Sequence, residues 1–151
     1  LRDLYKRQFR NNIRGRGVLA FAAQLPKNRC LKSAELAWNP WEQSEECWAA
    51  LLQGLRENYF LESLDSSICT CPLFEDVQFY LRLNRVGRRF LATTPNNIPL
   101  GLWPLILKRA GEEDDLESIP DAMFYFLQNS PVLSFICSSS FSESRLQAKI
   151  I

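Results

Sequence analysis

The sequence predicts an α/β solenoid, in which short parallel strands alternate with helices and each unit buries its apolar face against the next. A first observation is self-similarity at a spacing of thirty residues, which aligns LAFAAQLPKN at 19–28 with AALLQGLREN at 49–58. A second is the change of period inside each unit. Apolar residues stand two and three apart where the unit opens, as in a short strand, and three and four apart later, as on one face of a helix.

The two helices are predicted from their apolar faces and their termini. Their apolar positions are Val18, Leu19, Phe21, Ala22 and Leu25 in the first and Trp48, Leu51, Leu52 and Leu55 in the second. Ser44 is the predicted N-cap of the second helix. Asn28 and Asn58 are predicted to end the helices, because Asn tolerates the left-handed conformation and can hydrogen-bond its own turn.

The opening strings of the three units are LRDLYKRQF, LKSAELAWN and LESLDSSIC, which begin at residues 1, 31 and 61. They resemble the strand pattern of leucine-rich repeats of the ribonuclease-inhibitor-like type, with apolar first, fourth and sixth places and Asn or Cys at the ninth. Asn39 and Cys69 fit the ninth place. Lys6, Phe9 and Ser66 depart from the pattern. The resemblance implies parallel strands on the concave side of a horseshoe and helices on the convex side.

The same resemblance implies a binding surface on the concave side, formed by side chains between the buried strand positions. These candidate partner-binding residues are Asp3, Tyr5, Arg7, Ser33, Glu35, Ala37, Trp38, Ser63, Asp65 and Ser67. Tyr5 and Trp38 near mixed charge are typical of protein recognition, where aromatic anchors carry much of the binding energy. The alternative is that these are exposed strand residues without a partner.

The thirty-residue pattern stops at Pro72, and the sequence divides accordingly. Residues 1–78 are predicted to be degenerate repeats, 79–137 a terminal strand at 79–84 followed by a helical C-terminal cap, and 138–151 a Ser-rich flexible tail. Helices are predicted over 99–110 and 118–129. LNRVGRRFL, IPLGLWPLILKRA and DAMFYFLQNSPVL resemble the C-terminal extension of leucine-rich-repeat proteins from unicellular algae. Because the chain opens at Leu1, at the start of a repeat, we expect further repeats upstream.

Charge and hydropathy exclude several partners. The net charge of the 151 residues is +1, which argues against nucleic acid, since nonspecific affinity comes from uncompensated Lys and Arg contacts. RNA binding through the basic residues between Arg2 and Arg16 is a further alternative. The longest mostly apolar run, 98–107, falls short of the roughly 20 residues that cross a bilayer, so no membrane association is expected.

Five cysteines, an odd number, do not indicate a disulfide framework and predict a reducing, cytoplasmic location. Cys69 and Cys71 are close in sequence. A zinc site would have to recruit Cys30, Cys47 or Cys137, because the chain has no histidine. We therefore predict neither a metal nor a cofactor.

The chemistry of the sequence predicts a non-enzyme. Without histidine the usual general base is missing, and no Gly-rich phosphate loop follows a strand. The predicted function is a non-catalytic scaffold that binds a protein partner on the concave strand face. The alternative is a ubiquitin-ligase-type adaptor that recruits a subunit through the helix at 98–110, because IPLGLWPLILKRA is similar to the opening of an F-box.

Overall fold

The computed structural model of this chain describes residues 4–7, 12–66, 71–93, 98–112 and 118–130. The strands are β1 (Leu4–Arg7), β2 (Leu31–Glu35) and β3 (Ser63–Asp65). The helices are α1 (Gly15–Gln24), α2 (Glu45–Glu57), α3 (Leu73–Val86), α4 (Arg89–Thr93), α5 (Trp103–Gly111) and α6 (Ser118–Gln128). Short 3-10 turns occupy Leu25–Lys27, Pro40–Gln43 and Leu100–Leu102. The chain divides into two compact units, Leu1–Arg89 and Phe90–Ile151.

The first unit packs a helix layer on a small parallel sheet. The strands are ordered β1-β2-β3, and Ala34 of β2 lies beside Leu64 of β3. One core cluster joins buried residues of α1, α2 and α3 to those of β2 and β3, so the three helices cover the same face of the sheet. Aromatic rings pack together in this cluster: Trp48 lies 4.9 Å from Trp41 and 5.6 Å from Phe74, measured between ring centroids.

The predicted ends of α2, at Ser44 and Asn58, are confirmed, whereas α1 already begins at Gly15 and gives way to a 3-10 turn at Leu25, before Asn28. Ser44 Oγ accepts a hydrogen bond from Cys47 N at 3.4 Å, as expected of an N-cap. The predicted left-handed conformation of Asn28 and Asn58 is wrong, since both backbones are extended. The predicted hydrogen bonding of each Asn within its own turn is confirmed. Each side-chain Oδ1 accepts from the amides two and three residues later, which turns the chain from the helix into the next strand.

The predicted fold class, the end of a leucine-rich-repeat solenoid with concave strands and convex helices, is wrong. The structure is mostly helical and shows no solenoid of repeats in the part of the chain that it describes. Its described strands span three to five residues and form one small sheet. The thirty-residue spacing relates α1 to α2, but after β3 the chain enters α3 and α4, so the strand–helix alternation is not sustained.

The strand predicted at 79–84 is also wrong, because these residues lie inside α3. The alternation of Phe79, Leu81 and Leu83 favours a strand. The buried positions Val77, Leu81 and Asn84 are instead spaced by four and three residues, as on one helical face.

The contact between α1 and α2 depends on Gly54. A Cβ atom at this position would lie 2.6 Å from Ala22 O and 3.2 Å from Leu25 Cβ, closer than packed atoms tolerate. Gly-to-Ala changes inside a helix usually stabilise by about 1 kcal/mol. Here we expect Gly54→Ala to lower the free energy of unfolding by about 1–2 kcal/mol, because overpacking outweighs helix propensity. Urea unfolding followed by circular dichroism measures the difference.

Gly111→Ala is the control for this prediction. Gly111 is the last residue of α5, and no atom of the described residues lies within 4 Å of the position that its Cβ would take. We expect the free energy of unfolding of the Gly111→Ala variant to stay unchanged or to rise by up to about 0.5 kcal/mol. A stabilising Gly54→Ala would contradict the close approach of α1 and α2.

The second unit contains α5 and α6, which confirm the helices predicted over 99–110 and 118–129. Ile106 and Ala110 of α5 and Ala122 and Phe126 of α6 are buried. Four large apolar side chains on these helices are exposed by more than a third: Leu105, Leu107, Phe124 and Leu127. The predicted tail, 138–151, lies outside the described residues.

Candidate functional site

Four of the predicted binding residues lie side by side on the sheet. In the register of β2 and β3, Ser33 pairs with Ser63 and Glu35 with Asp65. Ser63 and Asp65 are exposed, and Ser33 and Glu35 are partly exposed. Ala34 and Leu64 between them are buried, so the two pairs share the face that the helices leave open. We call Ser33, Glu35, Ser63, Asp65 and the following Trp38 the strand face.

The remaining predicted site residues have different positions. Tyr5 and Arg7 occupy the register positions of β1 beside Ser33 and Glu35. Asp3 and Ser67 lie outside the described residues. Ala37 is only 2% exposed, so its side chain lies in the core and contributes no surface to the strand face.

Trp38 is the one aromatic residue among the five of the strand face. Trp38 is 61% exposed, and its backbone has a positive φ of 61°. A left-handed conformation costs a non-glycine residue about 1–2 kcal/mol. The chain therefore holds a large aromatic ring in solvent at a position where its backbone is strained.

Hydrogen bonds on both sides fix the turn that carries Trp38. The buried Asn39 side chain donates from Nδ2 to Leu36 O at 2.9 Å and to Ala37 O at 3.1 Å, and its Oδ1 accepts from Ile13 N at 2.8 Å. Asn39 N in turn donates to Glu42 Oε1 at 3.1 Å, in a capping box. The residues around Trp38 thus stabilise its strained backbone.

The capping box could have been predicted from the sequence, since Glu42 stands three residues after Asn39. The repeat pattern instead assigned Asn39 to its ninth place and did not indicate a cap. The positive φ of Trp38 has no comparable signal, because tryptophan is seldom found in that conformation. The pattern thus identifies the residues of the turn but not the conformation that exposes the ring.

The strand face offers carboxylates and hydroxyls but few other catalytic groups. Neighbouring parallel strands lie about 4.8 Å apart, so Glu35 and Asp65 place two like charges close together. In the described parts of the chain, no three His, Cys, Asp or Glu side chains are grouped where they could hold a metal ion. Among the described helices, none combines the length and apolar character needed to span a bilayer.

The helix predicted as an adaptor element is present as the turn Leu100–Leu102 followed by α5. Trp103 and Ile106, which carry the apolar pattern of IPLGLWPLILKRA, are buried in the second unit. Trp103 and Ile106 therefore pack inside the second unit and are not available to a ligase subunit. Leu105 and Leu107 of the same helix are exposed.

No protein-family model, curated protein or solved structure matches this chain. The resemblance to leucine-rich-repeat proteins consequently stays a prediction from sequence strings. The site has to be interpreted from its own geometry.

Proposed function

We propose that this chain is a non-catalytic protein-binding module that engages a partner through the strand face. The observation that carries this proposal is Trp38, an exposed tryptophan in a strained conformation on a turn that Asn39 fixes. A rigid exposed aromatic ring loses little conformational entropy on binding, and tryptophan is enriched among the residues that dominate binding energy.

The charges of the strand face indicate the chemistry of the partner. Glu35 and Asp65 form an acidic pair on adjacent strands, and Ser33 and Ser63 add hydroxyls that can donate or accept hydrogen bonds. A complementary protein surface would offer an apolar socket for the ring and a Lys or Arg side chain for the carboxylates. Opposite charges of this kind favour encounter and fix orientation more than they add affinity.

Replacing Trp38 with Asn tests the proposal. Asn is among the residues that tolerate positive φ, so the turn should remain folded while the ring is removed. We expect Trp38→Asn to reduce the recovery of bound partner at least about tenfold, as for an aromatic hot spot. The measurement is quantitative mass spectrometry of proteins captured by the immobilised full chain.

Phe124→Asn supplies a control of matched exposure, since Phe124 is 62% exposed but lies on α6 in the second unit. We expect this variant to capture the same proteins as the wild type. Equal loss in both variants would indicate nonspecific adhesion of exposed rings. Full capture by Trp38→Asn would exclude the strand face as the binding surface.

A further inference from the structure

A groove of about 790 Å³ borders the side of α1 that faces away from α2. We call it the α1 groove. Its described lining includes Ala20, Phe21, Gln24 and Asn28 along α1 and its closing turn, with Leu31 and Ala34 of β2 at its base. It is distinct from the strand face, because Leu31 and Ala34 are the buried positions of β2, on the helix-covered side of the sheet.

The packing of α2 shows what this side of α1 is shaped to hold. Thirty residues after Phe21, Gln24 and Asn28 stand Leu51, Gly54 and Asn58. In α2, Leu51 is fully buried and Gly54 lies against Ala22 O. The face of α2 that these residues form therefore packs against a helix, α1. The equivalent face of α1 borders the groove.

Asparagine side chains extend this equivalence to hydrogen bonding. Asn58 Nδ2 donates to Leu25 O at 2.7 Å and Asn28 O at 2.8 Å. Asn84 Nδ2 makes a related pair of bonds one step further, donating to Asn58 O, the equivalent of Asn28 O, at 3.0 Å and to Leu61 O at 2.8 Å. Each amide thus binds two main-chain carbonyls in the turn that precedes it in the layer.

Asn28 has the acceptor half of this arrangement. Its Oδ1 accepts from Cys30 N at 3.0 Å and Leu31 N at 2.8 Å, as Oδ1 of Asn58 does in its own turn. Within the described ranges, Asn28 Nδ2 makes no hydrogen bond to another residue. Because Asn28 is half-buried and lines the α1 groove, its two N–H donors are available to a molecule bound there.

We propose that the α1 groove binds an amphipathic helix of a partner protein, whose closing turn directs two main-chain carbonyls at Asn28. The bound helix continues the layer formed by α1, α2 and α3, with its apolar face against Phe21 and Ala20. Gln24 stands where α2 has Gly54, so this helix lies farther from α1 than α1 lies from α2. The surface is separate from the strand face, and either can bind without the other.

The chain itself supplies a suitable probe, because α1 and its turn present the two carbonyls that Asn58 binds. The probe is a fluorescent peptide of residues 15–31. Isolated helices of this length are marginal in water, so the peptide carries Arg16→Glu and Ala20→Lys joined by a lactam. Fluorescence anisotropy with the full chain should show saturable binding below about 1 mM.

Two matched pairs of variants in the full chain locate the binding. Ala20 and Ala23 are both exposed on α1, but only Ala20 is part of the described groove lining. We expect Ala20→Arg to weaken peptide binding about tenfold or more and Ala23→Arg to leave it unchanged. Asn28→Asp keeps the acceptor oxygen and removes the donors, so it should weaken binding about tenfold. Asn12→Asp makes the same change at an exposed position and should have no effect.

Three results would overturn the proposal. Absence of saturable binding means that the groove does not accept a helix. Lower stability of Ala20→Arg than of Ala23→Arg without peptide means that the chain's own residues already cover the groove. Concentration-dependent self-association that Ala20→Arg abolishes and Ala23→Arg preserves would identify the occupant as a second copy of the chain.

Discussion

Replacing Arg88 with Ala is expected to lower the free energy of unfolding by about 3–5 kcal/mol. Arg88 is fully buried, and its Nη2 donates to Leu55 O at 2.7 Å, Arg56 O at 2.9 Å and Asn58 O at 3.0 Å. Leu55 and Arg56 are in the last turn of α2, where the helix dipole is negative. Truncation would leave these three carbonyls without their cationic donor.

Two tyrosine rings hold the same guanidinium in place. Its Cζ lies 4.5 Å from the ring centroid of Tyr59 and 4.8 Å from that of Tyr80. A planar guanidinium stacks on both rings, whereas a lysine ammonium is compact and cannot form the same fork of hydrogen bonds. We therefore expect Arg88→Lys to cost about 2 kcal/mol, less than Arg88→Ala but well above zero.

Urea unfolding followed by tryptophan fluorescence measures both Arg88 variants, since Trp38, Trp41 and Trp48 all belong to the first unit. Arg29→Ala is the control, because Arg29 is exposed and its loss should change stability by less than about 0.5 kcal/mol. If Arg88→Ala were as mild as the control, the carbonyls of α2 would be satisfied without Arg88.

Asn58→Ala is expected to cost about 2–4 kcal/mol, because it removes four hydrogen bonds from a side chain that is 2% exposed. Its Nδ2 donates to Leu25 O and Asn28 O, and its Oδ1 accepts from Phe60 N at 2.9 Å and Leu61 N at 2.7 Å. The substitution leaves polar groups of two chain segments without partners. Urea unfolding under the same conditions gives the difference.

Asn28→Ala provides the comparison for Asn58. Asn28 is half-buried, and the backbone amides of Cys30 and Leu31 donate to its Oδ1. We expect this variant to cost about 1 kcal/mol. Similar losses at the two positions would show that the amide donors of Asn58 add nothing to the stability of the layer.

The amphipathic helices were the part of the fold most open to prediction. The spacing of Val18, Ala22 and Leu25 and of Leu51 and Leu55 results directly from burying one face of a helix, and these residues are buried. Such periodicity depends on local sequence alone. It therefore survives even where the assembly of the elements was predicted wrongly.

The solenoid was predicted wrongly because thirty-residue similarity between two helices does not determine the structure of the chain after the third strand. Phe79, Leu81 and Leu83 alternate as in a strand, and the competing helical spacing of Val77 and Leu81 decided the structure. Over so short an apolar stretch the two periods overlap, and tertiary packing selects between them.

Only part of the candidate site could be predicted, because local alternation describes the strand but not the residues that follow it. Alternation placed Ser33 and Glu35 on the open face of β2, but the alternation ended before Ala37, which is buried. Arg88 stands among neighbouring arginines around Gly87, in a sequence context typical of an exposed surface. Its burial depends on carbonyls about thirty residues earlier, and no local pattern records such a contact.

The asparagine bonds between consecutive turns also bear on motion. If the turn at Leu25 and Asn28 opens, the buried amide donors of Asn58 lose their carbonyl acceptors. If the turn at Asn58 opens, the side-chain amide of Asn84 loses the Asn58 carbonyl as an acceptor. Opening one turn therefore destabilises the folded conformation of the next turn. Slow fluctuations of the first unit should be collective, spreading through neighbouring turns instead of staying confined to a single loop.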